Sequence, residues 1–155
     1  PDSAPCRSRY AQALCGQNRW EEAMVEYSRA ISIDERYHEA HEGMALALLH
    51  LKKMPEAISS ARKAVALAPN NADSHSVLAK VLEKKGDYDG AATQYKLALK
   101  LDAKNPRLHQ ALGLVLADAG DLDGAIAELM TASKLLPNDY DLKLQLHSVL
   151  QKRNK

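Results

Sequence analysis

The sequence has no phenylalanine, one tryptophan and six tyrosines, so aromatic rings are scarce in a chain that is nonetheless 46% hydrophobic. Its apolar content is mostly aliphatic and small, which favours interiors built from Leu and Ala at close range. Net charge is lacking as well. The 21 Lys and Arg against 20 Asp and Glu leave a formal charge of +1, with no global field to gather nucleic acid or an anionic membrane. No apolar run approaches the roughly 18 residues a membrane span needs, because charges or turn residues interrupt every stretch. Membrane insertion is not expected. The two cysteines, Cys6 and Cys15, fall in one expected helix on opposite faces, about 13 Å apart along its axis, too far for a disulfide. So low a thiol content suits a reducing compartment such as the cytoplasm. The chain starts at Pro1 with no Met and no signal-like segment, so a fragment of a longer protein is expected.

What the chain does have is a period of 34 residues. Ala23, Ala57, Ala91 and Ala125 form one column, and Ala30, Ala64, Ala98 and Ala132 a second. Leu14, Leu48, Leu82, Leu116 and Leu150 form another, and Ala11, Ala45, Ala79 and Gly113 keep small size at a fourth. Ile33, Leu67, Leu101 and Leu135, and then Tyr10, Met44, Leu78, Leu112 and Leu146, keep bulk. Each unit carries apolar residues at helical spacing, a turn, and helical spacing again. Gly86 and Gly120 suit the positive-φ position that ends a helix, and Asp87, Asp89, Asp121 and Asp123 suit the cap and first turn of the next. Pro69 and Pro137 follow the second helices of their units. Small columns let helices cross closely while Leu and Tyr fill the flanks. On this register Ala91 is at a crossing and Glu83 on a helix surface.

These columns resemble the tetratricopeptide repeat family, whose 34-residue helix-turn-helix has small, large, small and Pro positions in this order. The resemblance implies an all-α fold, a right-handed α-solenoid of antiparallel helix pairs. It sets units at 4–37, 38–71, 72–105 and 106–139 within a single domain over 1–155. The third and fourth match best, with Gly86-Asp87-Tyr88 and Gly120-Asp121-Leu122 at the turn. The first has Asn18 for the turn glycine and Glu35 for the terminal proline; the second has Lys52, and Ala61 where its neighbours have Tyr27, Tyr95 and Leu129. A closing helix over 140–151, polar through Lys143, Gln145, His147 and Gln151, caps the last apolar face and leaves a short basic tail at 152–155.

Chemistry-bearing constellations are few. His38, Glu39, His41 and Glu42 share a helix start, but the zincin spacing of two histidines at i and i+4 around a Glu is missing. A solvated, ion-paired helix start is the expectation, and no metal. His41, His75 and His109 stand one unit apart. Equivalent points on stacked helix pairs lie about 10 Å apart, too far to share a metal whose ligand bonds are about 2 Å. Packing between helices with the polar tip outward is expected for them. Asp87-Tyr88-Asp89-Gly90 and Asp121-Leu122-Asp123-Gly124 lack the remaining ligands of a calcium loop. No GxSxG elbow, P-loop, Rossmann glycine string or paired CxxC occurs. Neither an enzyme nor a cofactor is expected.

The resemblance further implies that first helices line a concave groove that grips a peptide or helix of a partner protein. It places Arg9, Gln12, Glu42, Leu46, Ser76, Val77, Lys80, Arg107, Gln110 and Leu114 there, beside Ser8, Glu39, Gly43, Asp73 and Ala111. The family's two-carboxylate clamp of Lys, Asn, Asn, Lys and Arg has no counterpart, since the matching positions hold Ser8, Gln12, Gly43, Asp73 and Val77. One unit along, only Arg107 is chemically similar, and the family's asparagine ladder is replaced by Arg9, Gly43, Val77 and Ala111. A scaffold for a protein or peptide partner is the leading expectation. Self-assembly into a homo-oligomer, and service as the docking arm of a larger enzyme or complex, are the alternatives.

Overall fold

The computed structural model describes residues 2–154, and among them there are nine helices and no strand. In chain order they are α1 (Ala4–Gly16), α2 (Trp20–Ile33), α3 (His38–His50), α4 (Met54–Leu67), α5 (Ala72–Lys85), α6 (Tyr88–Leu101), α7 (Pro106–Asp118), α8 (Leu122–Leu135) and α9 (Tyr140–Arg153). The chain divides into two compact units, Pro1–Val81 and Leu82–Lys155, with the division inside α5. In the first, α1 packs on α2, α2 on α3 and α3 on α4; in the second, α6 packs on α7, α7 on α8 and α8 on α9. Consecutive helices thus pair across tight turns, as hydrophobic period and turn residues require. The last helix runs through Arg153 rather than stopping at 151, so the segment read as a basic tail is in part its final turn.

The small columns lie where the helices cross. Ala23, Ala30, Ala57, Ala64, Ala91, Ala98, Ala125 and Ala132 are all completely buried. At Gly113 an added Cβ would meet the Leu129 side chain at 2.8 Å, so the fourth unit closes tightly enough to require glycine there. Larger side chains close the flanks: Leu14, Leu112, Leu129 and Leu142 are at most 2% exposed.

Each first helix ends in the same way. The backbone N–H groups of Arg19, Lys53, Asp87 and Asp121 donate to the carbonyls of Leu14, Leu48, Leu82 and Leu116 at 2.9–3.0 Å, the long bond of a Schellman cap. That cap needs a left-handed residue just before the donor. Gly86 and Gly120 supply it at φ 87° and 89°, and Asn18 and Lys52 take the same role at φ 59°. The next helix then opens on a cap in the second unit only: Asp87 accepts from the Gly90 N–H and Asp121 from the Gly124 N–H, whereas Arg19 and Lys53 offer no side-chain acceptor. A Cβ at Gly90 or Gly124 would lie 2.7 and 2.4 Å from the capping carboxylate, so the Asp–Gly pairing is a matter of space.

Glu83 departs from the sequence reading. It is half-buried and accepts the Tyr95 hydroxyl at 3.4 Å, because this part of α5 faces α6 rather than solvent.

Candidate functional site

The first unit contains a cleft of about 560 Å³. Its walls are α1, through Ser8, Arg9, Gln12, Cys15 and Gly16, and α5, through Val77 and Lys80; α3 lies between them and contributes Glu39, Glu42, Gly43, Leu46 and His50. The α1–α3 contact and the Ser74–Glu42 hydrogen bond hold this order. Three more lining residues come from outside the first helices: Trp20 and Tyr27 on α2, and Tyr37 before α3; Trp20 stacks on the ring of His50. Those two rings are nearly parallel, 4° apart with centroids at 3.8 Å, and close one end of the cleft.

The depth of the cleft depends on Gly43. A Cβ there would lie 2.1 Å from the Tyr27 ring, so the phenol occupies the space any other residue would fill. Tyr27 is 4% exposed, and burial pushes its hydroxyl well above the usual range for tyrosine, which keeps it neutral. Burial also raises the Cys15 thiol beside it.

The charged groups have different surroundings. The Glu42 carboxylate accepts the hydroxyl of Ser74, itself fully buried, and burial raises the Glu42 carboxyl above its ordinary value. Glu39 lies 3.1 Å from His38. Arg9 and Lys80 are exposed and make no ion pair among the described residues.

Of the residues expected from sequence, Arg9, Gln12, Glu42, Leu46, Val77 and Lys80 come together in this cleft. Ser76 is half-buried on α5 and is not part of the lining. Arg107, Gln110 and Leu114 belong to α7 in the second unit, where Gln110 donates to Gln145 of α9 at 2.8 Å and so serves the closing helix. Sequence reasoning missed Cys15, Trp20, Tyr27, Tyr37 and His50. One signal was present: the residue 16 positions after Tyr27, Ala61 and Tyr95 is Gly43, Val77 and Ala111, small against large and large against small.

The histidine column has a structural role different from the outward tip expected of it. The Nε2 atoms of His41, His75 and His109 lie 3.1, 2.9 and 3.1 Å from the carbonyl oxygens of Glu35, Pro69 and Ala103, each six residues upstream. The ring reaches back over the connecting turn and ties it to the helix it enters. His109 also bonds Glu128 through Nδ1 at 2.6 Å. His38 is engaged by Glu39 and Asn71, and among the described residues no three His, Cys, Asp or Glu side chains gather to hold a metal ion.

A family model described as TPR repeat matches residues 11–52 and 82–120, and a second, described as tetratricopeptide repeat, matches 38–71. The chain belongs to the tetratricopeptide repeat family. Solved structures agree on the fold. YrrB, described as a TPR protein with an unusual peptide-binding site, is 22% identical with TM-score 0.75, over 96% of this chain and 76% of its own. Pseudomonas aeruginosa pilF is 21% identical with TM-score 0.90, over 97% and 69%. MamA from Desulfovibrio magneticus RS-1 is 20% identical with TM-score 0.85, over 97% and 85%. No curated protein matches the chain. Proteins of the tetratricopeptide repeat family bind protein partners. No helix among the described residues is long and apolar enough to cross a membrane.

Proposed function

We propose that this chain is a non-catalytic scaffold whose single array over 1–155 seats a short segment of a partner protein, with the cleft between α1, α3 and α5 as the principal seat. The observation that carries this reading is the cleft itself, with an aromatic end and an apolar floor at Leu46 that the core does not need for packing. A recess of this size with a few polar groups is the usual form of a recognition site. Arg107, Gln110 and Leu114 on α7 are a separate proposed contact set belonging to the second unit. The peptide-binding site named for YrrB supports the same use of the fold.

Peptides selected from a random display library against the chain provide the test. They should shift the emission of Trp20, lose binding to Leu46→Arg, and retain it with Lys63→Glu, an exposed position on α4 outside the cleft. Binding that survives Leu46→Arg and disappears with Lys63→Glu would move the function to the opposite surface.

A second reading, self-association, has its own observation. Cys6 and Ala13 are exposed and Tyr10 is 52% exposed, while the corresponding Ala40, Met44 and Ala47 of α3, and Leu108, Leu112 and Val115 of α7, are at most 8% exposed beneath the preceding helix. The outer face of α1 is thus built like a covered one. Sedimentation across a concentration series should show association that Tyr10→Glu abolishes; a monomer at all concentrations removes this reading.

A further inference from the structure

In two repeats a side chain on the first helix bonds a carboxylate 19 residues later on the second. Arg7 of α1 meets Glu26 of α2 at 2.9 Å, and His109 of α7 meets Glu128 of α8 through Nδ1 at 2.6 Å. At the same two positions the second repeat has His41 on α3 and Ser60 on α4. The His41 ring is held as the His109 ring is, with Nε2 on the carbonyl six residues upstream. Ser60 is too short to complete the arrangement: its hydroxyl makes no hydrogen bond among the described residues, and neither does His41 Nδ1. A recess of about 440 Å³ stands there instead, lined by both residues and bounded by α2, α3 and α4. It shares no lining residue with the cleft.

We propose that this recess is a second docking site, which takes an acidic side chain of a partner protein in the place that Glu26 and Glu128 fill in their own repeats. The carboxylate meets Nδ1 of His41 and the Ser60 hydroxyl, and an apolar residue beside it packs on Met24, Ile31, Met44 and Leu48. Net charge does not make the choice, since Glu56 and Lys63 bring opposite signs to the lining. Position makes it. His41 is already fixed by its turn, so little freedom is lost in aiming it, and two other repeats build the same geometry with their own carboxylates. The bond also carries a proton. Nε2 donates to the Glu35 carbonyl, so a neutral His41 offers only a lone pair at Nδ1, and a carboxylate there requires the ring to take up a second proton. Of the lining residues from all three helices, only Glu56 and Lys63 titrate besides His41.

The whole chain is titrated by calorimetry with capped nonapeptides of Leu-Glu-Leu or Leu-Gln-Leu core, and with sodium acetate. The Glu core should bind roughly 10-fold tighter than the Gln core, the worth of one charge-assisted hydrogen bond. It should tighten further between about pH 8 and about pH 6, where a glutamate stays ionised and a histidine gains its proton. Buffers of different ionisation heat should show that proton being taken up. Ser60→Ala leaves the recess open and should keep the binding. Ser60→Glu supplies the carboxylate from within, as Glu128 does for His109, and should abolish it; circular dichroism verifies that both variants are folded. Trp20 emission should not change, because Trp20 lines the cleft and not this recess. Equal binding of the two cores, a pH-independent affinity, no binding of either core, a shift of Trp20 emission, or full binding to Ser60→Glu overturns the proposal. Acetate binding as tightly as the Glu core does so too, because it would make the recess a small-anion site rather than a protein contact. The cleft reading survives each of these results.

Discussion

Lys52 is a lysine in the left-handed conformation, at φ 59°, where Gly86 and Gly120 do the same work without a Cβ. A non-glycine residue there costs on the order of 1 kcal/mol. Lys52→Gly should raise stability by roughly that amount, less the added freedom glycine gives the unfolded chain; an unchanged or lower urea midpoint would show that the turn carries no such strain. Gly43 predicts the opposite. With Tyr27 2.1 Å from any new Cβ, Gly43→Val should destabilise by about 1–3 kcal/mol through overpacking. Adding Tyr27→Ala should restore much of the loss, since Ala61 and Val77 form that arrangement one unit later. A double mutant no better than the single would refute the pairing. Glu42 yields a pH-dependent case. Its carboxyl is raised in the folded state by burial, so the protonated form favours folding: that contribution is present below the unfolded pKa and is lost as pH rises through the folded one. Glu42→Gln keeps an acceptor for Ser74 and removes the charge. Its melting temperature should exceed that of the parent at pH 7 and match it near pH 4; a lower value at pH 7 would mean that the ionised form is the stabilised one.

At the scale of the helix, starts differ between the units in a way that can be measured. Asp87→Ala and Asp121→Ala each remove a side-chain cap and should cost about 1 kcal/mol, while Arg19→Ala and Lys53→Ala remove none. Equal losses in chemical denaturation would deny the caps their role. The helices themselves were legible in the sequence, because Ala and Leu columns at a fixed period leave little choice of register. The walls of the cleft were legible for the same reason, as Arg9, Gln12, Leu46, Val77 and Lys80 repeat the outward positions of first helices. Its floor and aromatic end were not. Trp20 and Tyr27 come from a second helix and Tyr37 from a turn, and what brings them to the cleft is the missing side chain at Gly43 and the stack with His50. Glu83 and the histidine column misled for a related reason: a polar residue in a helix repeat reads as solvated until its acceptor or donor is located in space.

Over the whole molecule, the last helix has a covering duty that a truncation exposes. Leu142 and Val149 are at most 4% exposed, and α9 rests on α8. Ending the chain at residue 139 should lower the melting temperature and promote association, because an apolar face is uncovered; an unaffected, monomeric product would contradict this. The bare face of α1 leads elsewhere. Cys6, Tyr10 and Ala13 stand in columns that α3 and α7 bury beneath a preceding helix, so α1 already carries the receiving half of a joint. Length is then a variable open to protein engineering. A designed helix pair of the same 34-residue pattern, fused ahead of Ala4, would find its socket ready-made, and a ladder of such fusions would reveal whether each added module raises the melting temperature by a similar step.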